Sequence, residues 1–176
     1  MRRTALPCLT LATLLAACSP ALNWRTVRSE AHTLQLLLPC KPDTASRDVP
    51  MAGKAVALDM QGCDAGGATF AVSHVHLADA TLANATLAGW KTATLANLHA
   101  SQALERPFSI AGGWALPQTL RISTTGQRAD GQPVSAQAVW FARIGPGGAD
   151  LFNAVVYAEK IDPAVAETFF TGLKFD

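Results

Sequence analysis

The sequence carries no block of like charge and no basic patch. Its 14 Lys and Arg are matched by 13 Asp and Glu, so nothing in the charge pattern supports a nucleic-acid partner. No Gly-x-Ser-x-Gly occurs, which removes the usual nucleophile elbow. The one glycine-dense stretch, Gly145-Pro146-Gly147-Gly148, lacks the Lys-Ser/Thr of a phosphate loop and reads as a hairpin turn. Cysteine is sparse, at Cys8, Cys18, Cys40 and Cys63, and no C-x-x-C pattern is present. After residue 17 there is no apolar run of membrane length. These absences leave no reaction and no cofactor to name, and the chain is not expected to be an enzyme.

What is present is concentrated at the start. Met1-Arg2-Arg3 is positively charged, and Ala5 to Ala17 is uncharged and apolar with a single proline, Pro7. The run falls short of the roughly 20 residues that a bilayer requires, and it has the form of a secretory signal. It ends in Leu15-Ala16-Ala17-Cys18, which resembles the lipobox of bacterial lipoproteins. The bland alternative is a plain signal peptide that happens to end in Cys. The resemblance implies acylation of the Cys18 thiol, cleavage before Cys18, and acylation of the new amine. Several acyl chains, at about 0.8 kcal/mol per buried methylene, make a stable anchor. Ser19 follows in place of the Asp that favours inner-membrane retention, so the resemblance leans towards the outer membrane, facing the periplasm. The expected organisation is a signal peptide over 1–17, a lipidated tether over 18–30 and one domain over 31–176. Removal of 1–17 from the 176 leaves 159 residues with 12 basic and 13 acidic side chains, ample for a single core.

With Cys8 in the signal and Cys18 lipidated, Cys40 and Cys63 remain as an even pair in an oxidising compartment, and a disulfide is expected. A metal pair or a reactive thiol is the alternative.

Periodicity organises the rest. Thr33 to Pro39 alternates as a strand, with Leu34, Leu36 and Leu38 on one face. Ser46–Met51 and Lys54–Gln61 flank Ala52-Gly53 as a hairpin. Residues 62–67 read as a turn and Ala68–Leu77 as a strand. Asp79 to about His99 changes to helical spacing through Leu87, Trp90, Thr94 and Leu98. Strands are expected over 118–126, 134–144 and 151–159, the last two apolar on both faces and so covered on both. Asp162-Pro163 opens a final helix as N-cap and first helical residue. This order, with Leu36-Leu37-Leu38-Pro39 near its start and Phe169-Phe170-Thr171-Gly172-Leu173-Lys174-Phe175 at its end, resembles the PsbP-like α/β/α sandwich. The resemblance implies an α+β fold: a mostly antiparallel sheet with a long middle helix and a short C-terminal one. It carries no catalytic residues.

The candidate ligands are His74 and His76, two positions apart on one strand and so on one face, about 7 Å apart at the backbone. Such a pair can give two ligands to copper or zinc, with Met51 or Met60 as a soft addition. The bland reading is two half-exposed histidines at a strand end. His32 and His99 read as isolated surface residues, Asp59 and Asp64 as unpaired acids, and Trp90, Trp114 and Trp140 as core. The expected role is a lipid-anchored envelope module that binds a protein or envelope component without catalysis. The alternatives are a periplasmic metal binder through His74 and His76, and a hydrolase assembled only in three dimensions.

Overall fold

The computed structural model describes residues 21–28 and 33–176. The elements are β1 (Arg25–Arg28), β2 (Leu34–Leu38), β3 (Asp43–Met51), β4 (Lys54–Ala65), β5 (Ala68–Leu77), a 3₁₀ turn (Ala80–Leu82) leading into α1 (Ala83–Asn97), β6 (Ala103–Pro107), β7 (Leu120–Gln127), β8 (Pro133–Gly145), β9 (Gly148–Ala158), α2 (Pro163–Thr171) and β10 (Lys174–Phe175). Leu15 to Cys18 and His32 lie outside the described residues.

The expectation of an α+β PsbP-like sandwich with a long middle helix is corrected. Among the described residues, strand makes up 53% and helix 18%, with ten strands in two sheets and two α-helices. A seven-stranded antiparallel sheet runs in the order β3-β4-β5-β9-β8-β7-β6, and a three-stranded sheet in the order β1-β2-β10. The physical reason lies in strands that carry little apolar alternation. β1, most of β3 and most of β6 are exposed, so burial imposes no period of two on them. The chain also joins the fold before residue 31. Asn23 N–H donates to the Pro39 carbonyl at 2.7 Å, and β1 then pairs with β2 from Arg25↔Leu38 to Arg28↔Gln35.

Local chemistry sets the turns. Ala52 and Gly53 take successive positive φ of 52° and 75°, the I′ pattern that matches strand twist in a two-residue hairpin. The anticipated turn over 62–67 shrinks to Gly66-Gly67, because β4 continues through Cys63 to Ala65 opposite Ala68. The Asp79 carboxylate accepts from Thr81 N–H and caps the 3₁₀ turn, and Asp162 accepts from Ala164 and Val165 N–H to cap α2.

Strands β5, β8 and β9 are apolar on both faces, and each face has its own cover. One face carries Phe70, Val72, Val139, Phe141, Phe152 and Ala154 under Leu34, Leu36 and Leu38 of β2 and Phe169 and Phe170 of α2. The other carries Val75, Trp140, Ala142, Leu151 and Val155 under Ala83 and Leu87 of α1. Cys40 and Cys63 are disulfide-bonded, with Cα atoms 6.0 Å apart. The bond links the segment after β2 to β4. Those strands belong to different sheets, so the bridge staples one sheet to the other.

Arg121 holds the α2 side from below. Its guanidinium is buried, donates to Glu167 and to Gln137, each at 2.7 Å, and lies 4.2 Å over the Phe170 ring. A charge this buried is retained where hydrogen bonds and an aromatic face replace its water.

Candidate functional site

The cover over the aromatic face stops at Leu34 and Phe175, and the polar residues begin there. His74 and His76 follow Phe70 and Val72 on the same face of β5, by the two-residue period. Antiparallel register then sets the neighbours. Asp59 of β4 stands opposite His74, Phe152 of β9 opposite His74, and Asp150 of β9 opposite His76. Arg143 of β8 stands opposite Asp150. One row of the sheet therefore reads Asp59, His74, Phe152, and the next His76, Asp150, Arg143.

Both imidazoles converge on a single carboxylate oxygen. His74 Nε2 lies 3.0 Å and His76 Nδ1 2.9 Å from Asp150 Oδ1. An ionised carboxylate only accepts, so this geometry places the His74 proton on Nε2 and the His76 proton on Nδ1. His74 Nδ1 is 3.8 Å from Asp59 Oδ2, and the His74 ring lies against Phe152 at 4.9 Å between centroids. The His74 side chain is 12% exposed and that of His76 48%, so the first is part of the wall and the second faces solvent. Burial pushes the Asp150 carboxyl up. Hydrogen bonds from His76 and His74, with their charges, outweigh that push and hold it below the ordinary value of 3.8. Arg143 continues the row by donating to the Thr33 hydroxyl and lying 5.2 Å over the Phe175 ring.

A cleft of about 430 Å³ opens beside His74, lined by Leu34, Thr44, Ser46, Asp59, Gln61 and Phe152 among others. Its lining combines apolar side chains with hydroxyls, an amide and a carboxylate, which suits a small polar or cationic ligand. A serine-hydrolase relay does not fit. Ser46 pairs with Asp59, and Asp59 with His74, so the carboxylate stands between hydroxyl and imidazole, where the relay needs the imidazole in the middle.

The structure thus brings His74 and His76 together and adds Asp150, which sequence reasoning missed. Asp150 lies 74 residues from His76, and only strand register could reveal it. Among the described residues no group of three or more His, Cys, Asp or Glu is placed to hold a metal ion. Met51 and Met60 pack against the α1-side core, and Met60 also lines the cleft beside His74. His99 sits past the end of α1 with φ of 49°. Asp64 accepts from the Thr69 hydroxyl at 2.6 Å. Trp140 is fully buried and Trp90 and Trp114 partly so, which is the core role expected of them. No described helix is long and apolar enough to cross a membrane.

No family model matches the chain, and no curated protein matches it. Among solved structures it is similar to a Pseudomonas aeruginosa protein of unknown function, at 17% identity over 82% of this chain and 87% of that one, with a TM-score of 0.32. That likeness is too slight to transfer a fold or a role.

Proposed function

We propose that the chain is a lipid-anchored lipoprotein of the bacterial envelope, held through Cys18 at the outer membrane facing the periplasm, and that its domain is a non-catalytic binding module. The observation that carries this reading is Leu15-Ala16-Ala17-Cys18 at the end of a short apolar run behind Arg2 and Arg3. The Cys40–Cys63 disulfide agrees with an oxidising compartment. The cleft beside Asp59 and His74 has a lining suited to a ligand. In cells, Cys18→Ala is expected to accumulate as unprocessed precursor and to lose acyl-dependent partitioning into detergent. Affinity capture of the native lipoprotein from membranes should recover an envelope component, and Asp59→Ala together with His74→Ala should weaken that capture. Unchanged partitioning of Cys18→Ala would refute the anchor, and unchanged capture by the double variant would refute the cleft.

A second reading, a periplasmic copper or zinc binder through His74 and His76, is favoured by one observation: both ring nitrogens lie within hydrogen-bond reach of Asp150 Oδ1. Against it, that oxygen is already engaged by both rings. Calorimetry with Cu²⁺ and Zn²⁺ is expected to show weak binding or none. A sub-micromolar site abolished by His74→Ala or His76→Ala would promote this reading over the first.

A further inference from the structure

We infer, resting on the lipoprotein reading above, that the domain stands on the bilayer by its β4–β5 turn end, with a phospholipid headgroup surface as its partner there and the His74–Asp150–His76 row held at the opposite end. Three residues, Ser19 to Ala21, separate Cys18 from Leu22. At about 3.5 Å per extended residue they reach at most roughly 14 Å. Leu22, Asn23 and Trp24 are each held against the domain. A Leu22 side-chain carbon lies 3.0 Å from where a Cβ on Gly66 would stand. Asn23 N–H is bonded to the Pro39 carbonyl at 2.7 Å, and Trp24 meets Phe70 edge-on at 6.0 Å.

All of these contacts lie at one end of the large sheet, where Ala65 pairs with Ala68 and Ala68 with Ala158. His76 is eight positions along β5 from Ala68, about 26 Å away at roughly 3.3 Å per residue. The β3–β4 hairpin tip lies at that far end too, since Asp59 pairs with His74 and β4 begins five residues earlier, at Lys54. A reach of about 14 Å cannot turn a body of this length over, so the anchor dictates which end meets lipid. The exposed charges near that end are of both signs, among them Arg25, Lys41 and Lys160 against Asp43, Asp64 and Glu159, with no basic excess. The contact therefore needs no anionic lipid, and salt should leave it in place.

The test uses the mature lipoprotein purified from membranes and returned to phosphatidylcholine vesicles that carry a nitroxide on some headgroups. Lys160→Cys and Lys54→Cys place one fluorophore each at the near and far ends. The added thiol is the free one, because Cys40 and Cys63 are bonded to each other and Cys18 is acylated on this reading. Headgroup quenching is expected to be several-fold stronger at 160 than at 54. A flexible Gly/Ser insert of about 20 residues after Ser19, with a mean span near 25 Å, should erase most of that difference. Failure to float with vesicles would overturn the lipoprotein reading and the orientation together. Flotation with equal quenching at both positions, or with stronger quenching at 54, would overturn the orientation alone.

Discussion

The two faces of the seven-stranded sheet are sealed by different means. The aromatic face buries Phe70, Phe141, Phe152, Phe169 and Phe170, with Phe141 and Phe152 stacked at 5.2 Å and Phe70 edge-on to Phe169 at 5.5 Å. Its cover comes from the two chain ends of the domain, β1 and β2 before the large sheet and α2 and β10 after it. The disulfide and Arg121 fasten that cover. The other face is covered by α1, which follows β5 directly in the chain and buries Ala83, Thr86 and Leu87. A cover assembled from distant segments ends where those segments end. The rows beyond Leu34 and Phe175 are therefore left to His74, His76, Asp150 and Arg143, and a cleft forms on the aromatic side.

Substitutions can sharpen this contrast. Phe169→Ala removes a fully buried ring and is expected to destabilise by about 4 kcal/mol in chemical denaturation, against about 3 kcal/mol for Leu87→Ala on the α1 side. Equal or reversed losses would mean that the aromatic seal is not the stronger one. Reduction of the disulfide, which closes a separation of 23 residues, should cost about 3 kcal/mol. Its loss should raise amide exchange in β2 and α2 before α1, because the bond fastens one cover only. Uniform acceleration would break the comparison. Gln137→Ala leaves one Arg121 nitrogen without its partner and should cost about 2 kcal/mol.

The smallest effect is the pH dependence of the uncovered row. Asp150 has its folded pKa below 3.8, so its contribution is whole above that value and is lost as pH falls through the folded one. Asp150→Asn should lose stability at neutral pH and show a shallower decline below about pH 4. Parallel profiles for variant and wild type would remove the linkage.

Legibility followed the same division. β8 and β9 could be read from the sequence because burial on both faces makes them apolar on both, β5 because Phe70 and Val72 alternate before His74 and His76, and α2 because Asp162 and Pro163 mark its start. β1 and β6 passed unnoticed and β3 was read three residues short, since Asp43–Ser46 and Glu105–Pro107 face solvent and owe nothing to alternation. Counting the missed strands turns an expected helix-layered sandwich into a sheet-dominated fold. The cysteine pair was legible from compartment and parity. That the bridge spans two sheets is a matter of topology that parity does not reveal. Of the candidate site, the histidine pair could be read from a two-residue spacing, whereas Asp150 and the cleft depend on register between strands far apart in sequence.

Mass spectrometry of the N-terminal peptide of protein extracted from membranes decides whether Cys18 carries the proposed anchor. The expected product is a chain beginning at Cys18 and carrying diacylglyceryl and N-acyl masses, with full-length precursor accumulating when globomycin is added. A bare Cys18, or normal maturation in the presence of globomycin, would contradict it.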